Sequence, residues 1–168
     1  MRIVNFYLLD TSIISNLYNP HREKHSDVRS AIEALDPASP QFLSVIVLAE
    51  LLFGLCMAES TGQELAHIRS TIERAQEREI AEIGRHTAES YANVKSQLAL
   101  HWSDPEGKLP RWPEDWKDRV SGKNLQIDEN DLWLVAQAVE RNYVFLTTDT
   151  NLKERFEPAV PDLRLCLI

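Results

Sequence analysis

The 168-residue chain is 43% apolar and 26% charged, with two cysteines and a formal net charge of −8, the make-up of one globular domain with a sizeable core. Cys56 and Cys166 lie far apart, in no Cys-x-x-Cys pair and with no His at zinc-ligand spacing. This argues against a zinc or disulfide framework and for a reducing cytoplasm. The acidity opposes simple electrostatic binding of nucleic acid, unless a bound cation and local basic groups reverse the field.

Ile3 to Leu9 is an aliphatic and aromatic run that predicts a strand, too short for a signal peptide, so no processing is expected. Asp10-Thr11-Ser12 then offers capping side chains ahead of Ile13, Ile14 and Leu17 at helical spacing. Pro20 ends that helix, and Ser26 is the expected cap of a second one carrying Val28, Ala31, Ile32 and Leu35, closed by Pro37 to Pro40. Gln41 to Leu43 is a short strand, and Ser44 caps the next helix. The run Val45 to Ala58 is interrupted only by Glu50 and is shorter than the ~18 residues that span a bilayer, so it predicts a buried helix. Glu50 falls about one and a half turns from its N-terminus.

Leu65, Ile68, Ile72 and Ala75 predict an amphipathic helix over 63–78. Ile80 to Ile83 is a weak strand, and Gly84 separates it from a helix over about 86–100. The stretch 102–123, with Pro105, Pro110 and Pro113 and little periodicity, is expected to be an insertion or long loop within a single domain spanning 1–168. Asn130-Asp131 opens a helix with Leu132, Val135, Ala136 and Val139 on one side, and Tyr143 to Thr147 and Leu163 to Ile168 are the last strands. No internal repeat or low-complexity segment interrupts the order.

Strands alternating with helices predict an α/β fold, a mostly parallel sheet covered on both faces, whose ligands bind beyond the carboxyl ends of the strands. Asp10 and Asp149 follow strands, Glu50 lies early in a helix after a strand, and Asp131 opens a helix at the same edge. Four carboxylates converging on one rim repel by roughly 4 kcal/mol per close pair at a surface-like dielectric, so they call for a cation. Oxygen donors suit Mg²⁺ or Mn²⁺, which activate water against a phosphodiester.

Singly, Asp10, Asp131 and Asp149 have a plainer reading as helix caps or Asx turns, each stabilising by roughly 1 kcal/mol. Glu50 differs, because its helical neighbours Ile46, Val47, Phe53 and Gly54 supply no basic partner. A haloacid-dehalogenase-like phosphotransferase needs Asp-x-Asp after the first strand, where this chain has Asp10-Thr11-Ser12. No P-loop, G-x-G-x-x-G, G-x-S-x-G or H-E-x-x-H motif occurs.

Leu8-Leu9-Asp10-Thr11-Ser12, then Ser44 to Glu50 ahead of Leu51 to Gly54, then Ile127 to Ala136 around Asp131, and Phe145 to Asp149 with Phe156 downstream, together resemble PIN-domain ribonucleases, specifically VapC-like toxins of type II toxin–antitoxin systems. The resemblance implies a PIN-like three-layer α/β/α sandwich and a Mg²⁺- or Mn²⁺-dependent endoribonuclease. Asp10, Glu50, Asp131 and Asp149 would hold one or two ions, with Thr11 and Thr147 orienting a carboxylate or a water, or serving only as cap and strand-end hydrogen bonds. It further implies a homodimer, RNA as substrate, and a small cognate antitoxin that places a segment in the acidic cleft. The sequence departs from the family in the length and Trp/Pro content of 102–123, and Asp149 occupies a position where the family often carries Asn. A non-catalytic PIN-like module, its acidic pocket holding a basic partner peptide, is the alternative.

Within 102–123, Trp102, Trp112 and Trp116 alternate with Lys108, Arg111, Lys117, Arg119 and Lys123. That pattern suits either base stacking with phosphate neutralisation or, more simply, Trp side chains anchoring a long loop beneath a solvated charged face. Arg69, Arg74 and Arg78 stand among Glu64, Glu73, Glu77 and Glu79, a mixed-sign face that fits solvent or a partner better than an RNA track.

Overall fold

Short aliphatic and aromatic stretches supply the strands, most purely in the central Tyr7–Leu9 and Val144–Thr147, as a sheet covered on both faces requires. In a computed structural model, which describes residues 4–104 and 107–168, these are β1 (Tyr7–Leu9), β2 (Gln41–Ser44), β3 (Glu79–Ala81), β4 (Val144–Thr147) and β5 (Arg164–Leu167). They form one sheet in the order β3-β2-β1-β4-β5, every pairing parallel. Leu9 on the central strand is in register with Leu43 on one side and Leu146 on the other, and all three are buried.

The connecting helices are α1 (Thr11–Tyr18), α2 (His25–Glu33), α3 (Val45–Ser60), α4 (Ala66–Gln76), α5 (Arg85–Trp102), α6 (Glu129–Glu140) and α7 (Thr150–Phe156). Right-handed crossovers require α1 to α4, used while the chain steps outward from β1 to β3, to cover one face. The return to β4 and the step to β5 then place α5, α6 and α7 on the other. The packing agrees: α1 lies on α2 and α4, and α5 on α6. The result is the expected α/β/α sandwich. Ile13, Ile14, Val47, Leu132, Val135, Phe145 and Phe156 join the strands in its core. Strand order reverses between β1 and β4, which opens a crevice at their carboxyl ends.

Several elements differ from expectation, each for a local reason. β1 is shorter than the apolar run that predicts it, and Ile3 lies outside the described residues. The second helix starts at His25 with Lys24 rather than Ser26 at the cap position. α4 starts only at Ala66, because Gly62 takes a left-handed φ of 68° and the Glu64 carboxylate accepts from the Ala66 N–H at 2.7 Å. The seven-residue α7 escapes the periodicity reading because it offers only Leu152 and Phe156 as a buried pair.

α3 is not the fully buried helix its composition predicts. Val47 and Ala58 are buried, whereas Leu52, Phe53 and Met57 face outward, Phe53 being 67% exposed. Hydrophobicity all round a helix signals burial, but in this chain one side of α3 is left uncovered.

The 102–123 stretch is partly ordered. α5 runs through Trp102, a 3₁₀ turn spans Pro113–Asp115, and Lys117 pairs with Asn124 in an antiparallel bridge. Trp116 is fully buried and its indole N–H donates to the Pro110 carbonyl at 2.9 Å, while Trp102 donates to the Arg155 carbonyl at 2.9 Å. Trp112 is half exposed, with the Arg111 guanidinium 4.9 Å from its ring. Pro105 lies outside the described residues.

Candidate active site

The crevice between β1 and β4 is spanned by hydrogen bonds to a single carboxylate. Asp10 follows β1 directly, caps α1, and is only 7% exposed. Its Oδ1 accepts from the Thr11 N–H at 2.7 Å, and its Oδ2 accepts from the hydroxyls of Ser12 at 2.6 Å and of Thr147 at 2.7 Å. Burial nevertheless raises its pKa above the ordinary carboxylate value, the hydrogen bonds from Ser12, Thr147 and Thr11 oppose the rise, and the nearby charge of Asp149 adds to it.

Thr147, fully buried at the end of β4, donates to Asp10 and accepts from the Asp149 N–H at 3.0 Å. Ser12 donates to the same carboxylate while its oxygen accepts from the Thr148 N–H at 3.0 Å. The two hydroxyls thus tie the β4 loop to the start of α1. Asp149 caps α7 by accepting from the Asn151 N–H at 2.8 Å and is otherwise exposed. Capping accounts locally for both Asp10 and Asp149, and the second oxygen of Asp10 is held by Ser12 and Thr147.

Glu50 projects from α3 toward the same rim and is half-buried, not enclosed as its apolar neighbours suggested. The Thr11 hydroxyl donates to its Oε2, and the Asn130 amide donates to its Oε1 at 2.7 Å. Neutral partners hold it, with no Lys or Arg in ion-pair contact among the described residues. Thr11 therefore links Asp10, through its N–H, to Glu50, through its hydroxyl.

Asp131 sits in the first turn of α6 but does not cap it. That role falls to Asp128, whose carboxylate accepts from the Asp131 N–H at 2.8 Å. Asp131 is half-buried, and desolvation together with the charges of Asp128, Asp10 and Asp149 pushes its pKa up to about 8. The sequence marks Ser12 only as a cap and Asn130 only as the opening of a helix, not as partners of Asp10 and Glu50, and the cap itself falls on Asp128, which the Asp-x-x-Asp spacing of 128 and 131 signals.

All four predicted carboxylates therefore lie about one rim, and Asp131 feels the charge of both Asp10 and Asp149. Among the described residues, however, no three His, Cys, Asp or Glu side chains stand close enough together to hold a metal ion as they are placed. The caps and neutral hydrogen bonds fix these side chains as they stand, Asp10 on the Thr11 N–H, Asp149 on the Asn151 N–H and Glu50 on the Asn130 amide. The donors themselves, all carboxylate oxygens with hydroxyls behind them, have the chemistry of a Mg²⁺ or Mn²⁺ site.

The PIN-domain sequence profile matches residues 7–156, from β1 to the end of α7. The chain belongs to the PIN-domain family. Comparison with curated proteins gives no match. Among solved structures, the PIN domain is similar to a chain of VapBC2 from Rickettsia felis, bound to a DNA fragment from its promoter, with a TM-score of 0.66 at 21% identity over 96% of this chain and 98% of that one. It is likewise similar to a chain of VapBC-1 from nontypeable Haemophilus influenzae, with a TM-score of 0.64 at 21% identity over 96% and 97%. VapC20 of Mycobacterium tuberculosis, described as a sarcin-ricin loop cleaving toxin, gives 0.53 at 13% identity over 88% and 93%. At these identities the likeness concerns the fold. No helix among the described residues is long and apolar enough to cross a membrane.

Proposed function

We propose that this PIN domain is a cytoplasmic, metal-dependent endoribonuclease and the toxin of a toxin–antitoxin pair. The observation that carries the reading is the placement of Asp10, Glu50, Asp131 and Asp149 about the strand-order reversal of a PIN fold, with Asp131 pushed up to about 8 by burial and by the charges of Asp128, Asp10 and Asp149. A site so loaded with negative charge is one that a divalent cation relieves. Asp10, Glu50 and Asp131 are the assigned ligands and Asp149 a further one; gathering them involves rotation of side chains now held apart. When bound, Mg²⁺ or Mn²⁺ supplies a water nucleophile at neutral pH and charge stabilisation on the phosphodiester.

The chain's own residues do the positioning. Thr147 and Ser12 fix the Asp10 carboxylate, Thr11 fixes Asp10 against Glu50, and Asn130 holds the far oxygen of Glu50. RNA is the assigned substrate, and the whole chain acts as one PIN domain with 102–123 as an insertion. The VapBC likeness supports a small antitoxin partner whose basic side chain enters the acidic cleft, and the exposed apolar face of α3 supports a homodimer.

The lack of any Lys or Arg in ion-pair contact with Glu50 among the described residues also suits a second reading, a non-catalytic module whose acidic pocket holds a basic peptide. Mn²⁺ titration separates the two. The nuclease shows a rise in melting temperature and metal-dependent cleavage of total RNA, both lost in Asp10→Asn. Neither effect in the wild type would leave the interaction module standing.

A further inference from the structure

Beside the carboxylates, between α1, α3 and α4, lies a cavity of about 290 Å³ that begins at Thr11 and Glu50. Its volume corresponds to roughly ten liquid waters, room for one nucleotide base and not for a duplex. Gly54, one helical turn beyond Glu50, forms part of the wall, and a Cβ built there meets nothing within 4 Å. A glycine inside a helix costs about 0.5–1 kcal/mol relative to alanine, so the sequence leaves this stretch of wall bare at a loss of stability. Leu51 and Ile68 flank the bare backbone, and Arg22 and His67 also line the cavity. Neither of those two side chains makes a hydrogen bond or ion pair among the described residues.

We propose that this cavity is the subsite for the nucleotide next to the scissile phosphate of single-stranded RNA. Its base would lie on the Gly54 backbone between Leu51 and Ile68, and an adjoining phosphate would meet Arg22, with His67 as a second donor. The assignment rests on the nuclease reading. A strand whose phosphate lies on the carboxylates continues past Thr11 and Glu50, directly into the cavity. Leu51 and Ile68 give the cavity an apolar stretch, and among its otherwise polar lining Arg22 and His67 supply the planar groups on which an unstacked base stacks or with which its phosphate pairs. A basic peptide fits less well, because Glu50 is already held by Thr11 and Asn130 while Arg22 is unpaired.

The test compares wild type, Gly54→Leu, Gly54→Ala and Arg22→Ala on a random-sequence single-stranded RNA pool. Cleavage with Mn²⁺ is mapped by sequencing. Binding is measured separately by anisotropy, with each substitution placed in an Asp10→Asn background. Gly54→Leu and Arg22→Ala are expected to weaken binding and lower kcat/KM by roughly tenfold, and to flatten the preference at one position flanking the cut. Arg22→Ala should also reduce the slope of log affinity against log salt by about 0.7. Gly54→Ala, whose methyl enters the same wall, should lower binding and kcat/KM in the same direction but by less than Gly54→Leu, and both Gly54 variants should melt no lower than wild type, which rules out misfolding.

Unchanged binding, kcat/KM and preference in Gly54→Leu and Arg22→Ala would overturn the subsite while leaving the nuclease intact. Weakened binding in both variants of a chain that never cleaves would leave the cavity an RNA-binding site but overturn its place beside a scissile phosphate, together with the nuclease reading. A wild type that neither binds nor cleaves the pool would reject both. Loss of inhibition by a co-expressed antitoxin, with RNA cleavage untouched, would reassign the cavity to a peptide.

Discussion

Replacing Asp131 with Asn should stabilise the protein at neutral and alkaline pH while abolishing cleavage. A carboxyl that titrates at about 8 in the folded chain, against 3.8 ordinarily, is protonated in both states below about pH 4 and has no differential effect there. As pH rises from about 4 to 8 the unfolded chain ionises freely and the folded chain resists, so stability falls throughout that window. Above about 8 both states are ionised and the loss stops growing. At about 1.4 kcal/mol per pH unit the full loss is at most about 6 kcal/mol. Asp131 is only half-buried, and solvent screening with side-chain rotation reduces the effect to about 2 kcal/mol.

Asn keeps the size, and the Asp131 N–H bond to Asp128 is a backbone bond that the substitution leaves in place. In EDTA, thermal unfolding should therefore show Asp131→Asn melting about 4–8 °C above wild type at pH 8, by roughly half that at pH 6, and level with it at pH 4. Mn²⁺ should narrow the gap at pH 8 by raising only the wild type. A variant that melts below wild type at pH 8, or differs by the same margin at pH 4 and 8, would refute the like-charge argument.

Thr147→Val removes a fully buried hydroxyl that serves both Asp10 and the Asp149 N–H; urea unfolding should show a loss of about 1–3 kcal/mol. Trp116→Ala empties the fully buried indole site under the 102–123 stretch, and a loss of about 3–5 kcal/mol is expected in the same assay. Trp112→Ala, at a half-exposed ring, should fall within about 0.5 kcal/mol of wild type.

β1 and β2 were legible because aliphatic runs followed by Asp10 or ending in Ser44 carry both the strand signal and the cap that stops it. Ser44 behaves as read, accepting from the Ile46 N–H at 3.1 Å. What periodicity does not carry is which side of an all-apolar helix a neighbour covers, so α3 reads as buried although Phe53 stands out in solvent. Glu50 shows the same limit. Its sequence neighbours say nothing of Thr11 and Asn130, which reach it from 39 and 80 residues away. The order within 102–123 depends on long-range Trp hydrogen bonds that no local pattern encodes.

The central claim is that the carboxylates about Asp10 cut RNA. Its most direct test is cleavage-site mapping on total RNA with Mg²⁺ or Mn²⁺, wild type beside Asp10→Asn, after both are shown to melt cooperatively. Defined, metal-dependent cuts by the wild type are expected, suppressed by EDTA and absent from the variant. Equal cutting by the two proteins, or none by the metal-loaded wild type at any concentration, would contradict it.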